Sequence, residues 1–288
     1  MLRCTYIVLI HNDEDNILDL VNSLKKTDGN FRKEFIFVDD GSTDESLSLL
    51  KMAVNDLPRT TIITQENQGP SISINKGSSL ATGDYIHFVE GNEILHSEST
   101  SVLLEACLNL GAQVALGGVA PHAFVESKII EKARVIDKPI EGILLQKSPD
   151  ICRVGKSGSF IHRDLLDKIG KTDSSVYSQN MSLSLRAAKN SKFVYLPADI
   201  AYIAKTKPSE DTKFISYNNL KSIYNFAKSN EEFFSKMVPQ LLKSLSREAV
   251  GKGDKMGYSM KSFASKYFKT SNLKSVLKAY KQEIDRLF

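Results

Sequence analysis

The sequence predicts an α/β domain on a mostly parallel sheet with flanking helices, followed by a helical appendage. Three observations lead there. Through the first half, short apolar runs alternate with segments of helical period. After Pro208 the short runs stop and long apolar stripes of helical spacing take over. Charge changes with them: residues 1–200 carry 21 Lys+Arg against 26 Asp+Glu, and residues 201–288 carry 17 against 8. The expected division is a first domain over residues 1–205 and a basic helical region over 206–288.

The elements follow in order. Residues 6–10, YIVLI, form a continuous apolar run, as in a strand covered on both faces. Residues 16–24 place Ile17, Leu18, Leu20, Val21 and Leu24 at helical spacing. A second strand is expected over 34–38, a helix over 44–54, a third strand over 60–64, a helix over 70–81 and a fourth strand over 85–89. A helix over 99–110 precedes a strand over 114–116. From 121 to 153 the pattern weakens into an irregular covering segment. Helices over 164–169 and 181–188 and a strand over 193–196 close the domain. Two stripes follow, one from Phe233 to Leu245 and one from Leu273 to Leu287. Strands alternating with helices imply right-handed crossovers, and ligands on such sheets sit beyond the carboxyl ends of the strands.

Composition excludes several classes. Apolar residues at 41% and charged residues at 25% rule out disorder as the main state. No apolar run approaches the roughly 20 residues of a membrane span. The N-terminus is expected to be a first strand rather than a signal peptide. Three widely spaced cysteines, Cys4, Cys107 and Cys152, argue against a disulfide framework or zinc site and fit a reducing compartment. The five histidines lack metal-ligand spacing, and His87, in a strand, reads as a packed or partly exposed residue. Gly155-Lys156-Ser157 looks like a phosphate loop, but Asp150 stands where its first glycine belongs and no buried strand leads into it. The basic tail can touch anionic lipid or an acidic partner; a lysine-rich solvated face is the preferred reading, and no nucleic-acid partner is expected.

Three segments at strand ends carry the chemistry. The first is Asp39-Asp40-Gly41-Ser42-Thr43-Asp44. A turn and a helix cap explain its second half, but leave two carboxylates at the end of a buried strand. The second runs from Glu66 to Gly77 and opens a helix, whose N-terminal amides favour anions. The third is Ala81-Thr82-Gly83-Asp84-Tyr85-Ile86-His87-Phe88-Val89-Glu90-Gly91-Asn92-Glu93, a turn, a strand and a polar end.

In order and spacing these segments resemble the inverting glycosyltransferases of family 2, which have the GT-A fold. The resemblance includes Ile10-His11-Asn12-Asp13-Glu14 and resumes at Gly158-Ser159-Phe160-Ile161-His162-Arg163, Ile169-Gly170 and Leu183-Ser184-Leu185-Arg186-Ala187-Ala188. It implies a nucleotide-sugar donor, a UDP-sugar, and transfer to a hydroxyl of a glycan or lipid-linked acceptor in cell-surface glycan synthesis. His11, Asp39, Asp40, Gly69, Asn75 and Gly77 would line the nucleotide, with Asp39 and Asp40 at base and ribose. Glu90 and Asn92 stand at the family's metal-binding position, so a divalent ion, Mn²⁺ or Mg²⁺, is the implied cofactor. The implied location is the cytoplasm, with the basic tail able to reach the inner face of the membrane.

The departures from the family pattern also carry chemistry. His11 replaces a tyrosine and Ile74 an arginine. Gln179-Asn180 stands where the family has Glu-Asp, whose Asp is the usual base. An amide takes no proton, and general-base catalysis contributes about 10²–10⁴-fold. Asp173, His162 and Glu93 are the candidate replacements, Asp173 being the closest carboxylate in sequence. A catalytically impaired relative acting as a binding or scaffold partner is the alternative expectation.

Overall fold

A computed structural model describes residues 1–121, 123, 127–144, 154–156, 158–177, 179–204, 212–230 and 281. Its first half runs β1 (Arg3–Ile10), α1 (Ile17–Lys26), β2 (Arg32–Asp40), α2 (Ser46–Ala53), β3 (Thr60–Gln65), α3 (Pro70–Leu80), β4 (Tyr85–Glu90), β5 (Glu93–Leu95), α4 (Ser99–Leu110) and β6 (Val114–Ala120). It continues with β7 (Arg134–Ile136), α5 (Pro139–Leu144), β8 (Ser159–His162), α6 (Arg163–Lys168), α7 (Asn180–Asn190), β9 (Phe193–Ile203) and α8 (Thr212–Lys228). The chain divides into two compact units, Met1–Pro139 with Asp150–Ser209, and Ile140–Pro149 with Glu210–Phe288. In the second unit α8 buries Asn218, Ser222, Ile223, Phe226 and Ala227. Both long apolar stripes, and Cys152, lie outside the described residues.

The sheet of the first unit has the order β3-β2-β1-β4-β8-β6-β9-β5, with β7 also on β9. The four strands β3, β2, β1 and β4 are parallel, as expected. Beyond β4 the sheet is mixed: β8 is antiparallel to β4 and β6, β6 and β9 are parallel, and β5 and β7 run antiparallel to β9. Register decides where the functional ends meet. Ile10 faces Asp39, Asp40 faces Gln65 and Leu9 faces Glu90, so four strands finish at one level.

Alternation of side chains divides the two faces. Tyr6, Val8, Ile10, Phe35 and Phe37 join one core cluster with Ile17, Leu20, Val21 and Leu24 of α1, Leu50 of α2 and Leu103 of α4. Full burial of such side chains contributes roughly 1.5–3 kcal/mol each relative to exposure. On the other face α3 lies close against β1, because Gly77 has no side chain where Ile7 sits. A Cβ there would be 2.7 Å from the Ile7 side chain.

Short elements escape the sequence pattern. β5 and β8 have three and four residues, too few to display a period. β6 and β9 run longer than expected, through Gly117-Gly118 and Pro197. Two register shifts around Gly117 and Gly118 absorb the irregularity. The helix after β2 starts at Ser46, whose amide donates to Asp44 Oδ1 at 3.0 Å.

Cys4 and Cys107 are buried and free, and burial pushes the Cys107 thiol up to about 12. The core also holds a polar string. Tyr6 Oη donates to Thr100 Oγ1 at 2.8 Å, and His87 Nδ1 lies 3.0 Å from the same oxygen. Burial pushes the His87 ring from 6.5 down to about 3. The unfolded chain therefore binds this proton first as pH falls, and stability drains away from about pH 6.5 downward toward 3. His87→Phe should flatten that acid limb in urea titrations between pH 7 and pH 4. Parallel stability curves for the two proteins would refute this.

Candidate functional site

The carboxyl ends of β1 to β4 bring three groups of residues together. The first surrounds Asp40, which is 6% exposed. Its Oδ1 accepts from Gln65 Nε2 at 2.6 Å and the Gln68 amide at 2.9 Å, and its Oδ2 accepts from the Gly69 amide at 2.8 Å. The anion at the start of α3 is thus the protein's own carboxylate, favoured by the helix dipole. His11 Nδ1 donates to the Asp40 carbonyl at 2.9 Å, and Asn67 Nδ2 approaches Nε2 at 3.2 Å. Since a carbonyl only accepts, the proton sits on Nδ1 and Nε2 accepts from Asn67. Asp39 is buried and accepts the Ser42 amide at 3.3 Å. Asn12 Oδ1 accepts the Thr43 amide at 2.8 Å, tying the loops after β1 and β2.

The second group joins α3 to the loop before α7. Gly69 has φ 84°, a left-handed conformation that suits glycine, and a Cβ there would be 2.5 Å from the Tyr177 ring. Ser71 Oγ lies 2.5 Å from the carbonyls of Val176 and Tyr177, and Gln179 Nε2 donates to it. Thr172 Oγ1 donates to the Ser71 carbonyl at 2.7 Å. Asn75 spends both ends of its amide on Thr172: Oδ1 accepts its amide at 2.9 Å and Nδ2 reaches its carbonyl at 3.3 Å. Gln179 Oε1 accepts the Asp173 amide at 3.0 Å. This brings Asp173 to the start of α7, where Asn180 is the first helical residue. Arg186 Nη1 donates to the Ile169 carbonyl at 2.6 Å; burial lowers its pKa and the Asp173 charge acts in the opposite sense.

The third group is the turn from β4 to β5. Glu90 is half-buried and Asn92 buried. Glu93, 1% exposed, folds back so that Oε2 accepts the Glu90 amide at 2.9 Å. Asp13, also 1% exposed, links this turn to the first group. Its Oδ2 accepts the His11 amide at 2.9 Å, its amide donates to Ser46 Oγ at 2.7 Å, and its carboxylate occupies the space that a side chain on Gly91 would need.

Glu90 and Asn92 offer oxygen donors, the type that Mn²⁺ and Mg²⁺ take. Among the described residues, no three His, Cys, Asp or Glu side chains group as a metal site. An ion bound here would therefore rely on ligand oxygens as well, as Mg²⁺ does when it keeps only one or two protein carboxylates.

Of the candidates, His11, Asp40 and Gly69 are joined by hydrogen bonds with Asp39 next in the chain, Asn75 is bonded to Thr172 beside Asp173, Asn180 starts α7 next to Gln179, and Glu90 and Asn92 share a turn. Gly77 stands apart, under α3 against β1. Sequence reasoning missed Asp13, Ser71, Thr172 and Tyr177 as organisers. Asp13 alone left a signal, as a carboxylate just past the first strand.

Asp40→Ala takes the acceptor from three donors, of which the Gly69 amide is buried, and a buried unsatisfied group costs about 1–3 kcal/mol. Urea titration should show a loss of at least that size for one group. Unchanged stability would mean that these donors find other partners.

Comparison with known proteins gives the family and the fold. Residues 5–170 match the family model described as glycosyl transferase family 2. The chain is 28% identical over 113 residues to the uncharacterized glycosyltransferase YibD of Escherichia coli strain K12, covering 39% of this chain and 33% of that protein. It is 24% identical over 135 residues to a poly-beta-1,6-N-acetyl-D-glucosamine synthase of Staphylococcus aureus, covering 46% of this chain and 32% of the relative. The matches thus span about a third of those curated relatives. The crystal structure of S. aureus TarS 1–349 in complex with UDP shares the fold, with TM-score 0.65 and 20% identity over 86% of this chain and 72% of that one. No helix among the described residues is long and apolar enough to cross a membrane. With the family model matching more than half of the chain, the chain belongs to glycosyl transferase family 2.

Proposed function

We propose that the chain transfers a sugar from a UDP-sugar to an acceptor hydroxyl, with inversion, in the making of cell-surface glycan. The observation that carries this reading is the clipping of the loops after β1, β2, β3 and β4 into one polar cluster at the strand ends. The UDP complex of TarS and the polysaccharide product in the name of the S. aureus synthase support the donor and the glycan. Work beside the inner face of a membrane fits the basic residues beyond 206.

In this reading His11 and Asn67 meet the base, and Asp39 accepts from base or ribose. Asp40 acts by holding the 65–69 loop rather than by touching the nucleotide, since its two oxygens already serve three donors. Glu90 and Asn92 would hold a divalent ion, which supplies positive charge to the diphosphate. The acceptor hydroxyl attacks the anomeric carbon, the bond to the diphosphate breaks, and the hydroxyl proton leaves to a base. We assign that base to Asp173, which Gln179 ties to the start of α7.

One observation favours a second reading, a binding or scaffold protein with impaired catalysis. The residues at the family's Glu-Asp are both amides, and Gln179 is spent on Ser71 and the 173–176 backbone.

Thermal melts with UDP, GDP and CMP, each with and without Mn²⁺, separate nucleotide binding from its absence. A ligand at 100 times its dissociation constant adds about 2.7 kcal/mol. A Mn²⁺-dependent shift with UDP, weakened in Asp40→Ala, is expected. No shift with any nucleotide would remove the proposal. In turnover with a UDP-sugar, Asp173→Asn should fall by about 10²–10⁴-fold while UDP binding stays, and Asn180→Asp should rise. Full activity in Asp173→Asn would take the base away from Asp173.

A further inference from the structure

Tyr177 is the one aromatic among the described large hydrophobic side chains that stand exposed, at 37%. The others, such as Leu18, Met52 and Ile130, are aliphatic and scattered, which is ordinary for a surface. Tyr177 differs in being fixed. Its ring lies on Gly69, where a Cβ would come within 2.5 Å of Cε2 and 2.7 Å of Cδ2. Its carbonyl is 2.5 Å from Ser71 Oγ. The loop that carries it is fastened to α3 through Thr172, Asn75, Ser71 and Gln179. An aromatic face held this way has already lost the freedom that binding would otherwise remove.

Its position on the chain distinguishes two occupants. The polar edge groups suited to a nucleobase, His11 and Asn67, are on the loops after β1 and β3. Tyr177 belongs to the loop that carries Asp173 and leads into Asn180, the side where the attacking hydroxyl gives up its proton in the function proposed above. A pyranose ring is apolar on its faces and hydroxylated at its edge. Laid on Tyr177, it rests an apolar face on the phenol ring and leaves its hydroxyls at the edge.

We propose that Tyr177 is the stacking platform for a pyranose ring of the acceptor, so that the acceptor is a glycan. The inference rests on the glycosyltransferase reading.

The chain has no tryptophan, so Tyr177→Trp installs a lone fluorophore at the platform. Titrating that variant, loaded with UDP and Mn²⁺, with N-acetylglucosamine tetrasaccharide and with a glucose tetrasaccharide should give a saturable emission change with at least one, and none with glycerol. In wild type, the sugar that responds should bind about tenfold more tightly than in Tyr177→Ala, with Tyr177→Phe near wild type. UDP affinity by calorimetry should change less than fivefold between wild type and Tyr177→Ala, as expected for a ring that packs on Gly69 without touching the nucleotide. No emission change with either sugar overturns the proposal. So does a fivefold or greater loss of UDP affinity in Tyr177→Ala, which would give the ring to the nucleotide. Failure of wild type to bind UDP is a separate result, and counts against the proposed function itself.

Discussion

A single buried carboxylate organises the functional edge of this fold. Asp40 ends a strand at the level where three neighbours also end, and its oxygens take one side-chain and two backbone donors from the next strand and its loop. Without those bonds, the buried Gly69 amide would lose its acceptor and the exposed residues 66–68 their anchor. With them, α3 starts at a fixed point and Gly69 presents a bare backbone to Tyr177. Ser71, the second residue of the helix, then fastens the 172–179 loop. The strand-end loops and the 172–179 loop are thus held in one network by short-range contacts, not by one continuous element.

The opposite end of the same strands has its own fastening. Glu34 accepts from Thr5 Oγ1 at 2.5 Å and from the Thr82 amide and hydroxyl at 2.8 and 2.6 Å. Burial pushes its carboxyl up, but the bonds from Thr5 and Thr82 outweigh this and hold it below the usual carboxylate range. That stability is present above the usual range and is lost as pH falls through the lowered value. β1, β2 and β4 are therefore clamped at both ends, which leaves their carboxyl-end loops as the place where chemistry can be varied.

The parallel half of the fold was legible because each piece was long enough to show a period. YIVLI and EFIFV read as strands covered on both faces, and the helices between them repeat at the right spacing. β5 and β8 were not legible, being held by neighbours rather than by their own pattern. At the site, the motif residues were visible as polar groups at strand ends, but their roles were not. Asp40 and Asn75 look alike as candidate ligands, yet both spend their polar atoms on loops brought in by the fold. Ser71 and Thr172 are 101 residues apart and carry no signal of their contact. Tyr177 was invisible for the same reason, since its meaning comes from a glycine more than a hundred residues earlier.

The central claim is that the Asp40 carboxylate holds both sides of the site. Hydrogen–deuterium exchange on wild type and Asp40→Asn tests it most directly. An amide keeps one accepting oxygen but turns N–H toward donors on the other side. Exchange should quicken at 66–69 and, through Ser71, at 172–177, while the Glu34 end at 82–84 stays slow. Faster exchange confined to 66–69, with 172–177 unchanged, would contradict the account and leave the two sides of the site independent.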